Sequence, residues 1–217
     1  YLKHTGELYS YAIIPNAISR LPEKIFEGEV RDKQIVAVGR MDKQKNFELL
    51  ISAFAKIHLQ IPDYELVIYG EGPLQETYKK LCEKYGISKK VYFPGYVKNI
   101  ETKIRSAAAF VLPSVYEGMP NALIEAMALG LPCVATDCGG GGPRFLIEEN
   151  KNGILVPIND VDAMAEALLK IVTDDKLAKR LSESAVQIRE KLAADRIYTM
   201  WETYINEVQR KGKRNDR

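Results

Sequence analysis

Short apolar runs alternate with amphipathic helical stripes along most of the chain, and this alternation limits the fold more than any other feature. The run QIVAVGR at 34–40 precedes a segment, 46–58, whose apolar residues recur every three or four positions. Further apolar runs lie at 64–70, 91–95, 109–114, 132–137 and 153–157. Nearly continuous apolar strands alternating with helices are typical of a parallel sheet covered on both faces. The sequence therefore predicts an α/β fold, a Rossmann-like doubly wound parallel sheet of about six strands.

The helices predicted between these strands divide the chain into three parts. They lie at 74–86, 100–107, 122–129, near 145–149, at 161–172 and from about 176 to 211. We expect an interdomain linker and lead-in segment at 1–30, the Rossmann-like domain at 31–192, and a closing helix with a basic tail at 193–217. The chain does not begin with Met, and its start is interpreted as a continuation from an upstream part.

Charge and cysteine content narrow the class of protein. Lys and Arg number 31 against 29 Asp and Glu, so the net charge of +2 gives no reason to expect a nucleic-acid partner. Three cysteines, Cys82, Cys133 and Cys138, form no CxxC pair, which favours reduced thiols and a cytoplasmic location. No signal peptide is recognised, and no apolar run approaches the roughly 20 residues that span a bilayer.

Glycines crowd the carboxyl ends of the predicted strands, where parallel sheets bind ligands. The strand-end segments are GR at 39–40, GEGP at 70–73, PGYV at 94–97, SVYEGMPN at 114–121 and TDCGGGGPR at 136–144. Tight turns alone explain any one of these glycines. Five such strand ends together indicate a ligand crevice along this edge of the sheet.

Two glutamates in PSVYEGMPNALIEAMALGLPCVATD (113–137) ask for a common explanation. Glu117 lies in a Gly/Pro-rich turn, and Glu125 lies on the following helix, four residues after Asn121. The N-terminus of that helix offers backbone N–H groups to an anion, while each carboxylate is suited to accept bonds from a vicinal diol. A nucleotide sugar, with a diphosphate between two polyols, satisfies both. The alternative is one glutamate stabilised by the helix dipole and one solvated glutamate.

Two cations follow the first strand in GRMDKQKN. Arg40 is expected at the mouth of the sheet, and Lys45 near the start of the next helix. Arg and Lys together stabilise the negative charge of a departing diphosphate without a metal ion, and the sequence has no DxD-like pair to hold one. We therefore predict no metal and no cofactor. The alternative is an ordinary surface Arg and Lys.

Several segments together resemble the C-terminal, donor-binding domain of retaining GT-B glycosyltransferases, specifically family 4. They are GRMDKQKNFELLISAF, GEGP, VYFPGYV, the segment 113–137 and NGILVP, and the resemblance covers about residues 13–205. The two glutamates, separated by seven residues, match the E-x7-E pattern of this family. IIPNAI at 13–18 resembles its interdomain link, and the closing helix with Trp201 and Tyr204 resembles the segment that crosses back onto the N-terminal domain.

The resemblance implies a role for each candidate residue. Arg40 and Lys45 bind the diphosphate, Glu125 holds the ribose, and Glu117 contacts the donor sugar. The remaining binding residues it implies are the backbone of Gly118, Met119, Asn121 and Ala122 around the sugar and phosphate, Tyr96 and Val97 beside the base, and Gly72. Arg144 stands where many relatives carry an acidic residue.

The resemblance also implies a reaction. A sugar passes, with retention of configuration, from UDP-sugar as first expectation, or GDP-mannose as second, to a glycan or lipid-linked acceptor in cell-surface polysaccharide biosynthesis. The acceptor-binding N-terminal domain is absent from this chain, so we expect donor binding without transfer, in a cytoplasmic enzyme that associates peripherally with the inner membrane surface. His4 and His58 do not replace a catalytic His of that missing domain.

Three other functions are compatible with parts of the sequence. A dinucleotide oxidoreductase requires GxGxxG after the first strand, whereas GEGPLQ at 70–75 lacks the third glycine and follows the second strand. A sugar epimerase of GT-B-like fold shares the donor and the sheet. The third function is that of a binding module, in which the chain holds a nucleotide sugar and catalyses no reaction by itself.

Overall fold

The computed structural model describes residues 12–18 and 30–215, with side chains to residue 210. Its centre is one six-stranded sheet in the order β3-β2-β1-β4-β5-β6, with every neighbouring pair parallel. The strands are β1 Asp32–Val38, β2 Glu65–Tyr69, β3 Val91–Gly95, β4 Ala107–Leu112, β5 Cys133–Thr136 and β6 Ile154–Val156. The predicted fold class and strand number are confirmed.

Helices cover both faces of the sheet. The helices of the described residues are α1 Phe47–Ile57, α2 Gln75–Lys84, α3 Glu101–Ile104, α4 Asn121–Ala128, α5 Gly142–Leu146, α6 Val161–Thr173, α7 Asp175–Ala185, α8 Ile188–Lys191 and α9 Ala194–Asn215. Asp160 and Asp174 cap α6 and α7, each accepting a bond from a backbone N–H three residues on. The helix expected near 145–149 begins earlier, at Gly142, because Pro143 fits a first turn and Ile147 is already extended.

The core lies between the sheet and its helices, and it is formed by the apolar residues whose periodic spacing is visible in the sequence. The strand β4 is buried along its whole length, and the helix α1 buries Phe47, Leu50 and Phe54. Each such side chain contributes about 1.5–3 kcal/mol when removed from water. The central strands are therefore firmly held, and the loops at their carboxyl ends start from fixed positions.

The chain divides into two compact units, Arg20–Arg189 and Tyr1–Ser19 together with Glu190–Arg217. Within the second unit, the backbone N–H of Ile18 donates to the carbonyl of Leu192 at 3.0 Å. The helix α9 exposes a stripe of apolar side chains, Tyr198, Trp201, Ile205 and Val208. The domain boundaries expected at residues 30 and 192 stay a prediction.

Some predictions concern residues outside the described ranges. These are most of the lead-in segment, at 1–11 and 19–29, including His4, and the end of the basic tail at 216–217. Within the described ranges, His58 follows α1, and its ring nitrogen Nδ1 lies 2.8 Å from the carbonyl of Ala55. None of the described helices is long and apolar enough to cross a membrane.

Arg31 joins four elements of the larger unit at the amino end of the sheet. Its guanidinium donates to the carbonyls of Arg105 and Ala107, at 3.1 Å each, and to the carbonyl of Gly130 at 2.6 Å. It also donates to Ser182 Oγ at 3.0 Å, which in turn donates to the carbonyl of Gly130 at 2.5 Å. One side chain thus links the start of β1 with the start of β4, the end of α4 and the helix α7.

Replacing Arg31 should destabilise the larger unit. Arg31→Met keeps much of the aliphatic stem but removes the bonds to the partly buried carbonyls of Ala107 and Gly130, of which Gly130 retains, among the described side chains, only the hydroxyl of Ser182, so we expect a loss of about 2–4 kcal/mol in the free energy of unfolding. Urea denaturation measures it. Arg144→Met is the matched control, because that arginine is exposed and bonds to one carboxylate, and it should change stability by less than about 0.5 kcal/mol. Equal losses in the two variants would contradict this account.

Candidate functional site

The order of the strands reverses between β1 and β4, and the candidate site lies at this point. Loops at the carboxyl ends of two adjacent strands meet here and are joined by hydrogen bonds. The backbone N–H of Val115 donates to the carbonyl of Gln44 at 2.9 Å, and Gln44 Nε2 donates to the carbonyl of Tyr116 at 3.0 Å. These bonds bring the predicted cation loop and the predicted carboxylate loop together.

Lys45 and Glu117 form an ion pair across the two loops. Lys45 Nζ lies 2.5 Å from Glu117 Oε1, and the side chains are 20% and 8% exposed. The stem of Lys45 crosses Gly39, where a Cβ atom would lie 3.2 Å from its Cδ and Cε atoms. Gly39 therefore leaves room for Lys45 to reach Glu117. Such a poorly solvated pair requires further hydrogen bonds to offset the loss of water.

Ser114 supplies one of these bonds and was not predicted from the sequence. Its side chain is fully buried, and its hydroxyl donates to Glu117 Oε1 at 2.7 Å. A polar residue at the end of the otherwise apolar run AFVLPS (109–114) is the sequence signal that could have identified it. The nearly buried carboxylate of Glu117 therefore has a charged and a neutral donor on the same oxygen.

The glycine-rich loop after β5 lies in backbone contact with Glu117 and Gly118. The N–H of Glu117 donates to the carbonyl of Gly139 at 2.8 Å, and the N–H of Gly142 donates to the carbonyl of Glu117 at 3.2 Å. A Cβ atom at Gly140 would lie 2.3 Å from the carbonyl oxygen of Glu117, and one at Gly142 would lie 2.2 Å from that of Gly118. Only glycine permits this approach, which fixes the carboxylate loop from its second side.

The helix α4 presents unpaired backbone donors beside Glu117. The N–H groups of Leu123 and Ile124 are satisfied by the carbonyl of Pro120, at 3.0 and 3.1 Å. Within the described part of the chain, the N–H groups of Gly118, Met119 and Ala122 have no acceptor. Asn121 begins the helix. A helix start with open N–H groups favours an anion such as a phosphate.

Glu125 lies one turn into α4 and is half-buried. Among the described residues its carboxylate has no hydrogen-bond or ion-pair partner. Burial raises the pKa of Glu125, and the negative charge of Glu101 on α3 raises it further. A half-buried carboxylate without a donor is a strong acceptor for ligand hydroxyl groups.

Arg40 is exposed at the outer side of the same crevice. Its Nε lies 2.6 Å from Asp42 Oδ2, and Asp42 Oδ1 accepts the backbone N–H of Lys45 at 3.0 Å. Burial acts to raise the pKa of Asp42, but these two hydrogen bonds and the charge of Arg40 outweigh it and lower the pKa. Asp42 therefore stays ionised and ties both predicted cations to one loop.

Gly72, Tyr96 and Val97 lie further along the same edge. A Cβ atom at Gly72 would lie 2.5 Å from the carbonyl oxygen of Met41, so this glycine lets the loop after β2 pack on the cation loop. The backbone N–H of Tyr96 donates to Glu71 Oε1 at 3.3 Å, and the ring of Tyr96 is 77% exposed. The structure thus connects the segment after β3 to the cation loop through Glu71.

The predicted residues fall into two groups. Lys45, Glu117 and the start of α4 are in direct contact or adjacent in the chain, and Glu125 is one turn away. Arg40, Gly72 and Tyr96 line the neighbouring loops. Arg144 pairs instead with Asp137 at the end of β5, with its Nε 2.8 Å from Asp137 Oδ1. No cluster of three or more His, Cys, Asp or Glu side chains suited to a metal ion occurs in the described ranges.

Comparisons with known proteins match the chain to glycosyltransferases. Residues 22–187 match the family model described as glycosyl transferases group 1. An N-acetylgalactosamine-N,N'-diacetylbacillosaminyl-diphospho-undecaprenol 4-alpha-N-acetylgalactosaminyltransferase of Campylobacter jejuni is 35% identical over 176 residues. That match covers 80% of this chain and 47% of the relative, so the chain spans about half of the relative's length.

Solved structures show the same fold. A variant of TarM from S. aureus, in complex with fondaparinux, alpha-GlcNAc-glycerol and UDP, is 28% identical with a TM-score of 0.76, and the match covers 89% of this chain and 38% of that one. The C-terminal domain of a glycosyl transferase group 1 family protein, LpcC, from Francisella tularensis is 23% identical with a TM-score of 0.67. That match covers 75% of this chain and 87% of that domain. The structural neighbours are glycosyltransferases of the GT-B fold.

Glu125 should make the ligand-free protein less stable at neutral pH. Because its pKa is raised by folding, its contribution to stability is fully present below the pKa of the unfolded chain and is lost as the pH rises through the folded pKa. Glu125→Gln should therefore raise the free energy of unfolding at pH 7 by about 0.5–1 kcal/mol, or about 1–4 °C in Tm.

Thermal unfolding between pH 4 and pH 8 measures this effect. The gain should shrink as the pH falls through the raised pKa of Glu125 and should be absent below the ordinary pKa of a glutamate, about 4.3. Glu166→Gln, on the exposed face of α6, is the control and should change stability little at any pH. A Glu125→Gln variant that is less stable than the parent at pH 7 would show that the carboxylate has a stabilising partner.

Proposed function

The chain belongs to the glycosyl transferases group 1 family, and from this we propose that it is the donor-binding domain of a retaining, family 4 enzyme. The enzyme transfers a sugar from a nucleotide-diphosphate sugar, UDP-sugar first and GDP-mannose second, to a glycan or lipid-linked acceptor. The observation that carries this proposal is the ion pair of Lys45 and Glu117, which lies at the strand-order reversal and beside the open N–H groups of α4.

Each part of a nucleotide sugar finds a suitable group at this site. Lys45, Arg40 and the N–H groups of Gly118, Met119 and Ala122 suit the diphosphate. The unpartnered carboxylate of Glu125 suits the vicinal hydroxyls of a ribose. Glu117, held next to Lys45, suits the hydroxyls of the sugar that is transferred. The exposed segment at Tyr96 and Val97 borders the base.

The chemistry that follows is departure of the nucleotide diphosphate as the glycosidic bond to the acceptor forms. The bond between the anomeric carbon and the diphosphate oxygen breaks, and its electron pair leaves with the nucleotide. The oxygen of the acceptor hydroxyl forms the new bond to the anomeric carbon, and its proton passes to the departing diphosphate. The two cations and the backbone N–H groups beside Glu117 stabilise this growing negative charge, and the N–H groups, which are held by the contacts of their loop, need little reorganisation during the reaction. The same cations take the place of a divalent metal ion.

The acceptor side belongs to the rest of the enzyme in this proposal. The Campylobacter jejuni relative is named for a diphospho-undecaprenol substrate, which supports a lipid-linked acceptor and polysaccharide biosynthesis at the inner membrane surface. An N-terminal domain supplies the acceptor site and covers the apolar stripe of α9 around Trp201. The 217-residue chain alone binds donor but does not transfer sugar, because the acceptor hydroxyl is not positioned.

Nucleotide binding to the chain tests this function directly. Isothermal titration calorimetry with UDP and with GDP should show one site for at least one nucleotide, and added EDTA should leave its affinity unchanged within about twofold. Adenosine diphosphate serves as the control nucleotide. Absence of binding by UDP and GDP at millimolar concentration would refute the donor assignment. A large loss of affinity in EDTA would refute the metal-free site.

The two glutamates should have separable effects. Glu125→Ala removes charge-assisted hydrogen bonds to the ribose, each worth about 1.5–3 kcal/mol, and should weaken binding of plain nucleotide by about 10- to 100-fold. Glu117→Ala should leave plain nucleotide affinity nearly unchanged and reduce the extra affinity of the nucleotide sugar. The same titrations with Glu166→Ala are the control for loss of a glutamate outside the site, and its affinities should equal those of the parent chain. Equal losses of nucleotide affinity in the Glu117 and Glu125 variants would show that the assigned roles are wrong.

A further inference from the structure

We propose that the buried hydroxyl of Ser114 is the positioning group that fixes the carboxylate of Glu117, so that Oε1 stays with the protein and Oε2 faces the donor sugar. This inference rests on the proposed function, because it assigns Glu117 to the sugar. Ser114 itself does not touch the substrate and acts only through Glu117.

The two oxygens of Glu117 have different surroundings. Oε1 accepts bonds from Ser114 Oγ at 2.7 Å and from Lys45 Nζ at 2.5 Å. Oε2 has no partner among the described residues. Since none of the described buried side-chain oxygens or nitrogens lacks a partner, Oε2 must reach solvent although Glu117 is only 7% exposed. One oxygen is therefore bound by the protein and the other is open to a ligand.

Ser114 is itself held in place by the sheet. It follows β4 closely, and Thr136, the last residue of β5, bonds through its hydroxyl to the carbonyls of Ser114 and Leu112, at 2.5 and 3.3 Å. Both Ser114 and Thr136 are fully buried. The backbone of Ser114 is thus held next to the ends of two adjacent strands, which fixes the position from which its hydroxyl reaches Glu117. Lys45, in contrast, reaches Glu117 through a flexible four-carbon stem.

This difference gives the two donors different tasks. An ammonium group has three N–H donors, so Lys45 can bond to Glu117 and to a diphosphate oxygen together. A carboxylate held by Lys45 alone would follow the ammonium as it adjusts to the diphosphate. With Ser114 bonded to the same oxygen, Oε1 is held by two donors, one of which is anchored to the sheet, and the direction of Oε2 is set before the donor arrives.

The test compares sugar recognition with nucleotide recognition. Calorimetry on the 217-residue chain measures affinities for UDP, UDP-glucose, UDP-N-acetylglucosamine, GDP and GDP-mannose, and the best nucleotide sugar is compared with its plain nucleotide. Ser114→Ala should reduce the extra affinity due to the sugar by about fivefold to tenfold, while plain nucleotide affinity changes by less than about twofold.

Two further variants separate positioning from loss of stability. Ser182→Ala removes another hydroxyl that donates to the protein, here to the carbonyl of Gly130, and should leave both affinities unchanged. In a Glu117→Ala background, Ser114→Ala should cause no further loss of the extra affinity due to the sugar, because the carboxylate that Ser114 positions is no longer there. If Ser114→Ala does not fold, Ser114→Cys, which nearly keeps the volume but is a weak donor, replaces it.

The outcomes distinguish this inference from the function on which it rests. If no nucleotide binds the parent chain, both fail. If nucleotide sugar binds more tightly than nucleotide in the parent, and Ser114→Ala keeps the full difference, only the role of Ser114 is overturned. An equal effect of Ser114→Ala with and without Glu117 would also overturn it, because Ser114 would then act through the general structure of the loop.

Discussion

The carboxylate of Glu117 is nearly buried, and the loops around it supply hydrogen bonds and an ion pair that offset the loss of water. Desolvation of an ion pair costs several kcal/mol per ion unless hydrogen bonds replace the water. Here Lys45 and Ser114 serve one oxygen, while Gly139 and Gly142 bond to the backbone of the same residue. Three strand ends, those of β1, β4 and β5, therefore converge on one residue, which makes the crevice a fixed part of the sheet.

The same crevice contains groups that reduce stability in the absence of a ligand. Glu125 is half-buried without a partner among the described residues, and Glu101 adds like charge nearby. The N–H groups of Gly118, Met119 and Ala122 likewise have no acceptor in the described part of the chain. These costs are small beside the apolar burial of the core, and Arg31 adds bonds at the opposite, amino end of the sheet. These groups without partners among the described residues lie together at the candidate site, where the proposed donor would supply their partners.

The sequence was sufficient for the fold and for placing the charged residues of the candidate site at one edge of the sheet, because both follow from local patterns. Apolar runs and helical stripes located all six strands, and the strand-end rule placed Arg40, Lys45 and Glu117 at one edge. It was not sufficient for contacts between distant residues: Lys45 and Glu117 are 72 residues apart, and their bond depends on the room above Gly39. Ser114 was missed because a single hydroxyl after an apolar strand looks locally like a turn residue.

Backbone contact, more than side-chain contact, makes this site rigid before ligand binding. A Cβ atom at Gly140 or Gly142 would lie 2.3 or 2.2 Å from a carbonyl oxygen of the carboxylate loop, so the two loops touch along their main chains. Main-chain contacts of this kind lose no side-chain entropy when a donor binds. A loop held this way keeps its N–H groups in one arrangement, and in the proposed function the binding energy of the donor is then available for the groups that react.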